Sequence, residues 1–134
     1  MADSIFTKII NKEVPAYIIY EDDYSLAFLD IHPVQPGHVL VVPKKQIEQW
    51  LDLDEDTYLH LMQAVKIVGE QLKTVLSTKF VGLKIVGVDV AHVHVHLIPF
   101  NRGTEFNSSQ DMTKTPNHQA LKVMAAKLSL NKLK

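Results

Sequence analysis

Three histidines stand at every second position, His92, His94 and His96, with Val93 and Val95 between them. An imidazole can attack an electrophile through a bare ring nitrogen, carry a proton near neutral pH, or bind a metal. In an extended strand alternate side chains share a face. The three rings are therefore predicted to line one surface while the two valines point the other way. Leu97-Ile98-Pro99 prolongs the apolar run and closes it.

Three readings of this row compete. The plainest is a wet strand face that does no chemistry. In the metal reading, His92 to His96 spans about 13 Å at roughly 3.3 Å per residue, whereas zinc ligand atoms lie within about 4 Å of one another. Two neighbours such as His94 and His96 could share an ion with a third ligand such as His38, but all three could not without distorting the strand. In the nucleophile reading the middle ring attacks while its neighbours donate to anionic oxygens or steer protons. Phosphoryl-type transfer requires that combination of a placed nucleophile and donors where charge develops.

The elements that must hold the row can be read from patterning. Ser4 is a candidate N-cap for a short helix carrying Ile5, Phe6, Ile9 and Ile10. Residues 17–20 and 24–30 form a predicted hairpin turned by Glu21-Asp22-Asp23. A Pro-rich loop with Gly37 leads into a third strand over residues 38–42, apolar enough for burial on both faces. Residues 46–51 are expected to make a helical turn around Trp50. Tyr58, Leu61, Met62, Val65, Leu72, Val75 and Leu76 recur at helical spacing, predicting an amphipathic helix of about five turns. A strand over residues 80–86, with Gly82 marking a close approach, precedes the histidine strand. Thr115-Pro116 has the form of an N-cap followed by proline at the first helical position, opening a C-terminal helix through Leu121, Met124 and Leu128. The pattern predicts an α+β fold with a five-stranded, mostly antiparallel sheet, one long helix and short terminal helices.

Composition narrows the partners. The 134 residues fit one domain, 46% of them are hydrophobic, and the net charge is −1. Of 14 basic residues only Arg102 is an arginine, which argues against nucleic acid as a ligand. The absence of cysteine excludes disulfides and thiolate chemistry. Acidic Asp3 where a leader would be basic, and no apolar stretch of spanning length, predict a cytoplasmic protein without a membrane partner.

His92-Val93-His94-Val95-His96-Leu97-Ile98 matches the His-φ-His-φ-His-φ-φ signature (φ, apolar) of the histidine triad, or HIT, superfamily of nucleotide hydrolases and transferases. Ser4-Ile5-Phe6-Thr7-Lys8-Ile9-Ile10, Glu13-Val14-Pro15-Ala16, Phe28-Leu29-Asp30-Ile31 and Gly37-His38-Val39-Leu40-Val41-Val42-Pro43-Lys44 resemble the N-terminal half of its Hint branch. The likeness covers about residues 4–100; the tail over residues 107–134 lies outside it and has no assigned role. The resemblance implies a single HIT domain over residues 1–134 and a homodimer whose sheets join. It also implies a purine nucleotide substrate, with neither cofactor nor metal. The activity implied is hydrolysis at the α-phosphorus of nucleoside 5′-phosphoramidates or adenylates. A dinucleoside polyphosphate hydrolase and a non-catalytic nucleotide-binding adaptor are the alternatives.

Carried over by motif, His94 matches the nucleophile, His96 a phosphate-side donor, and His92 and His38 supporting histidines. Asp30 matches the acceptor of ribose hydroxyls, which suits a carboxylate because each oxygen can take one hydroxyl hydrogen. Ile5, Phe6, Ile9, Phe28 and Ile31 match apolar walls around the base, although such residues are also ordinary core. Transferase members tend to carry Gln at the third triad position, so His96 points to hydrolysis. One segment departs from the Hint pattern. An Asn and a Gly-Gln-Ser-like stretch usually precede the triad, and here only Gly87-Val88-Asp89-Val90-Ala91 stands there. Asp89 falls near the hydroxyl's position, where it is expected to turn away, orient a histidine or receive a cationic leaving group. The N–H groups of Gly87 to Asp89 are expected to serve as a small anion nest.

Overall fold

The computed structural model describes residues 2–130. A five-stranded sheet has the spatial order β1-β2-β3-β5-β4, every neighbouring pair antiparallel. The strands are β1 (Ile18–Glu21), β2 (Ser25–Leu29), β3 (Val39–Pro43), β4 (Phe80–Lys84) and β5 (Val95–Phe100). Among the described residues four α-helices accompany it: α1 (Ile5–Ile10), α2 (Glu55–Leu76), α3 (Gly103–Phe106) and α4 (His118–Leu128). Among the described residues no helix is long and apolar enough to cross a membrane.

Period-two alternation sorts the side chains onto two faces. Ala27, Leu29, Val39, Val41, Val93, Val95 and Leu97 join Leu61, Val65, Val68 and Leu72 of α2 and Leu121 and Leu128 of α4 in the larger core. Leu26, Phe28, Leu40 and Val42 point the other way and pack on Phe6 and Ile9 of α1. The central strands are therefore buried on both faces, as the unbroken apolar run of β3 predicts. α2 runs 22 residues, a turn longer than its apolar repeat suggests. The extra length is N-terminal, where Asp54 caps the helix by accepting from the Thr57 N–H and hydroxyl.

Several expected boundaries move, each for a local reason. Residues 46–49 do not coil; only Trp50–Asp52 makes a 3₁₀ turn. The Ile47 carbonyl accepts from the Val93 N–H at 2.8 Å, which ties this stretch to the triad segment. α4 begins at His118 rather than at Pro116, because Asn117 supplies the cap by accepting from Ala120 N–H. Regular pairing in β5 begins only at Val95, which leaves His92 and His94 in an irregular approach to the strand. The Gly82 close approach is present: the Phe106 ring of α3 packs where a Cβ would stand.

Gly37 turns the chain into β3 with φ +89°, and a Cβ there would stand 2.5 Å from Leu76 Cδ1. Left-handed backbone costs an L-residue about 1–2 kcal/mol, and relief of the overlap adds to it. Gly37→Ala is expected to lose about 2 kcal/mol in urea denaturation, and an unchanged midpoint would contradict the strain.

Candidate active site

Strand register assembles the site. Phe28 pairs with Leu40, and Leu40 with His96, so these three residues share one face across β2, β3 and β5. Two residues beyond Phe28 and two before Leu40, Asp30 and His38 fall on that same face, joined by Asp30 N–H donating to the His38 carbonyl at 3.0 Å. Asp30, His38 and His96, separated by up to 66 positions in the chain, thus meet.

Hydrogen bonds assign the ring tautomers one by one. His94 Nδ1–H donates to the His92 carbonyl at 2.7 Å. In a regular strand that carbonyl would point at a neighbouring strand; the irregular backbone before β5 turns it towards the ring. His94 Nε2 keeps its lone pair, has no partner among the described residues, and is reached by solvent. His38 Nδ1 accepts from the Val34 N–H at 3.0 Å, so its Nε2 carries hydrogen and donates to His96 Nδ1 at 2.9 Å. His96 must then hold its hydrogen on Nε2. A bare nitrogen on His94 and an N–H on His96 result, on rings 5.1 Å apart.

His92 occupies a different place from the one its spacing implies. It is fully buried and lines no cleft. Ser4 Oγ accepts from Thr7 N–H and gives its hydrogen to His92 Nδ1 at 2.7 Å, while His92 Nε2–H donates to the Pro43 carbonyl at 2.8 Å. Gln46 Oε1 completes the cluster by accepting from Ser4 N–H and the Thr7 hydroxyl. The helix cap and the triad are thereby one network. The row of three rings is really a pair with a buried anchor.

Burial sets the electrostatics. It holds the His38 imidazole down at about 3, helped by His96 and Lys84. It holds His96 at about 4, with His94 and Lys84 adding to the effect and Asp89 opposing it. Burial also lowers His92, against the Pro43 carbonyl. The supporting rings are consequently neutral donors and acceptors at physiological pH. Asp30 moves up, because burial outweighs the hydrogen bonds from His32 N–H and Gln110.

Two clefts meet at His94 and His96. The larger, about 590 Å³, is mainly apolar and is walled by Ile5, Phe6, Ile9, Phe28 and Ile31 with Asp30 at its edge. Ile5 and Ile31 are exposed to it, whereas Phe6, Ile9 and Phe28 also serve the smaller core. The smaller cleft, about 360 Å³, lies towards Lys84, Asp89, Asn107, Ser108 and Ser109. Asp89 is exposed and borders both. Lys84 and residues 107–110 carry no motif that would mark them as part of a site.

Asp30, His38 and His96 place potential ligand atoms within 4.8 Å of one another. A cation there would need lone pairs, yet the Val34 N–H directs the His38 hydrogen to Nε2 and the bond to His96 uses it. The donor set fits a chain of neutral hydrogen bonds better than a metal.

A HIT-domain family model matches residues 11–103. An uncharacterised HIT-like protein of Borreliella burgdorferi is 40% identical over 122 residues, covering 80% of this chain and 88% of its own. Among solved structures, a HIT-like protein involved in cell-cycle regulation from Bartonella henselae superposes with TM-score 0.80 at 31% identity, covering 94% of both chains. A hypothetical histidine triad nucleotide-binding protein from Sulfolobus tokodaii gives 0.76 at 33% identity, with 92% of this chain and 87% of that one aligned. Sheet order, triad and sequence likeness agree, and the chain belongs to the HIT family.

Proposed function

We propose that the protein is a nucleotidyl hydrolase acting on purine nucleoside 5′-phosphoramidates or adenylates. The observation that carries this reading is the tautomer of His94, whose Nδ1–H is held by the His92 carbonyl while Nε2 stands bare in the cleft. Nε2 forms a bond to the α-phosphorus as the bond to the leaving amine breaks, and the amine takes a proton from water. The ring becomes cationic, and the His92 carbonyl faces that charge across the same hydrogen bond. His96 Nε2–H donates to a phosphoryl oxygen, where negative charge accumulates. Water then attacks phosphorus, the P–N bond returns its electrons to Nε2, and the nucleoside monophosphate leaves. The apolar cleft takes the purine, and Asp30 the sugar hydroxyls. A burst assay with a fluorogenic adenosine phosphoramidate tests the reading: adenylate trapped on His94 is expected, and turnover with label elsewhere would overturn it.

Lys84 in the polar cleft favours a second reading, in which the leaving group is anionic, as in a dinucleoside polyphosphate. The ratio of kcat/KM for the two substrate classes decides between them.

A homodimer joined at β4 accompanies the proposal. β4 is an edge strand, and its Phe80 and Leu83 are about half exposed, at 53% and 49%. Leu83→Lys is expected to shift a dimer to monomer in sedimentation; a monomer before substitution would refute the interface.

A further inference from the structure

Asp30, the acidic group of the larger cleft's edge, is not open in this conformation. Its Oδ1 accepts from the His32 N–H at 2.8 Å. Its Oδ2 accepts from Gln110 Nε2, also at 2.8 Å, and the second hydrogen of that amide goes to the His32 carbonyl at 2.9 Å. Gln110 is 80 residues away in sequence, in the tail that follows α3, and it lines both clefts. Its Oε1 has no partner among the described residues.

We infer that Gln110 reads the sugar diol together with Asp30 and sets the preference for ribose over deoxyribose. A hydroxyl both donates and accepts, whereas an ionised carboxylate only accepts. Asp30 alone can satisfy the hydroxyl hydrogens but leaves their oxygens without a donor in a largely buried site. Gln110 supplies what is missing. As the diol enters, one amide hydrogen passes from Asp30 Oδ2 to a hydroxyl oxygen, and that hydroxyl donates to the freed carboxylate oxygen. The other amide hydrogen stays on the His32 carbonyl and keeps the group in register. Oε1 provides a second acceptor for the neighbouring hydroxyl. The amide thus stands in for the diol when the cleft is empty and pairs with it when it is filled. A deoxy sugar forfeits this exchange and leaves the Asp30–Gln110 bond as it was.

The inference rests on the nucleotide reading of the cleft, and the test separates the two. Calorimetric titrations would compare adenosine monophosphate with its 2′-deoxy and 3′-deoxy analogues against the unaltered protein, Gln110→Ala and Gln110→Asn, with folding of each variant verified by thermal melts. The unaltered protein is expected to prefer the ribonucleotide about 10-fold, the worth of one well-placed hydrogen bond. Gln110→Ala should weaken the ribonucleotide by a similar factor and leave at least one deoxy analogue within about 2-fold, so that the preference collapses. Gln110→Asn, too short to span Asp30 and His32 together, should behave like the alanine variant. Equal weakening of all three ligands would show that Gln110 merely pins the tail, and unchanged affinities would show that it does not touch the sugar; either result overturns the inference. Failure of every nucleotide to bind the unaltered protein would remove the nucleotide reading itself.

Discussion

His94→Ala is expected to abolish phosphoramidate turnover, by about 10⁴-fold or more, while adenosine monophosphate still binds. The expectation follows from the division of labour in the site. Every other donor and acceptor near the cleft survives the substitution: His96 keeps its Nε2–H, His38 still orients it, and the apolar walls are untouched. Only the bare nitrogen is lost, and no neighbour can replace it. His96 presents hydrogen instead of a lone pair, and His92 lines no cleft. Single-turnover kinetics with an adenosine phosphoramidate, run beside equilibrium binding of the monophosphate, measure both halves. Residual turnover within 10-fold of the unaltered protein would sink the nucleophile assignment. An unaltered protein that binds the monophosphate but never turns over would establish the adaptor reading instead.

The second large effect concerns stability on acidification. His38 and His96 sit at about 3 and about 4 in the folded protein, against an ordinary 6.5 when unfolded. Below 6.5 the unfolded chain takes up a proton at each ring that the folded chain refuses, so stability falls as pH falls. Each ring costs about 1.4 kcal/mol per pH unit in this window, or about 3 kcal/mol for the pair at pH 5.5. The loss continues to about pH 4, where His96 begins to charge in the folded state as well. Asp30 works in the opposite sense, because burial raises its pKa and lets the folded state take a proton before the unfolded chain does. A typical domain has 5–15 kcal/mol in total, so about 3 kcal/mol is a large share. Urea denaturation at pH 7.5 and 5.5 measures the difference. His92, also lowered by burial, adds to the loss in the same sense. His96→Gln is expected to remove about half of the pair's share, and equal midpoints at the two pH values would contradict the neutral pair.

The sequence by itself determined the architecture, because its signals were local. The unbroken apolar run of residues 39–42 and the three- and four-residue spacing of Leu61, Val65 and Leu72 are properties of neighbouring positions, and burial then follows from the local pattern. Ser4 as a cap, Gly37 as a turn and Gly82 as a close approach were legible for the same reason. The triad histidines could be singled out by type and spacing, and Asp30 by the resemblance of its segment to the HIT superfamily.

Only the tertiary structure decided what each of these groups does to the others. The spacing of the triad treats its three rings alike, yet contacts with Ser4 and Pro43 bury His92, and its carbonyl holds the tautomer of His94. His38 orients His96 through strand pairing across 58 positions, and Gln110 reaches Asp30 across 80. Residues 107–110 form a polar stretch without period or motif, so nothing local marks them as a wall of the site. Tautomers and shifted pKa values arise from partners and desolvation, and both come into being only when distant segments close on one another.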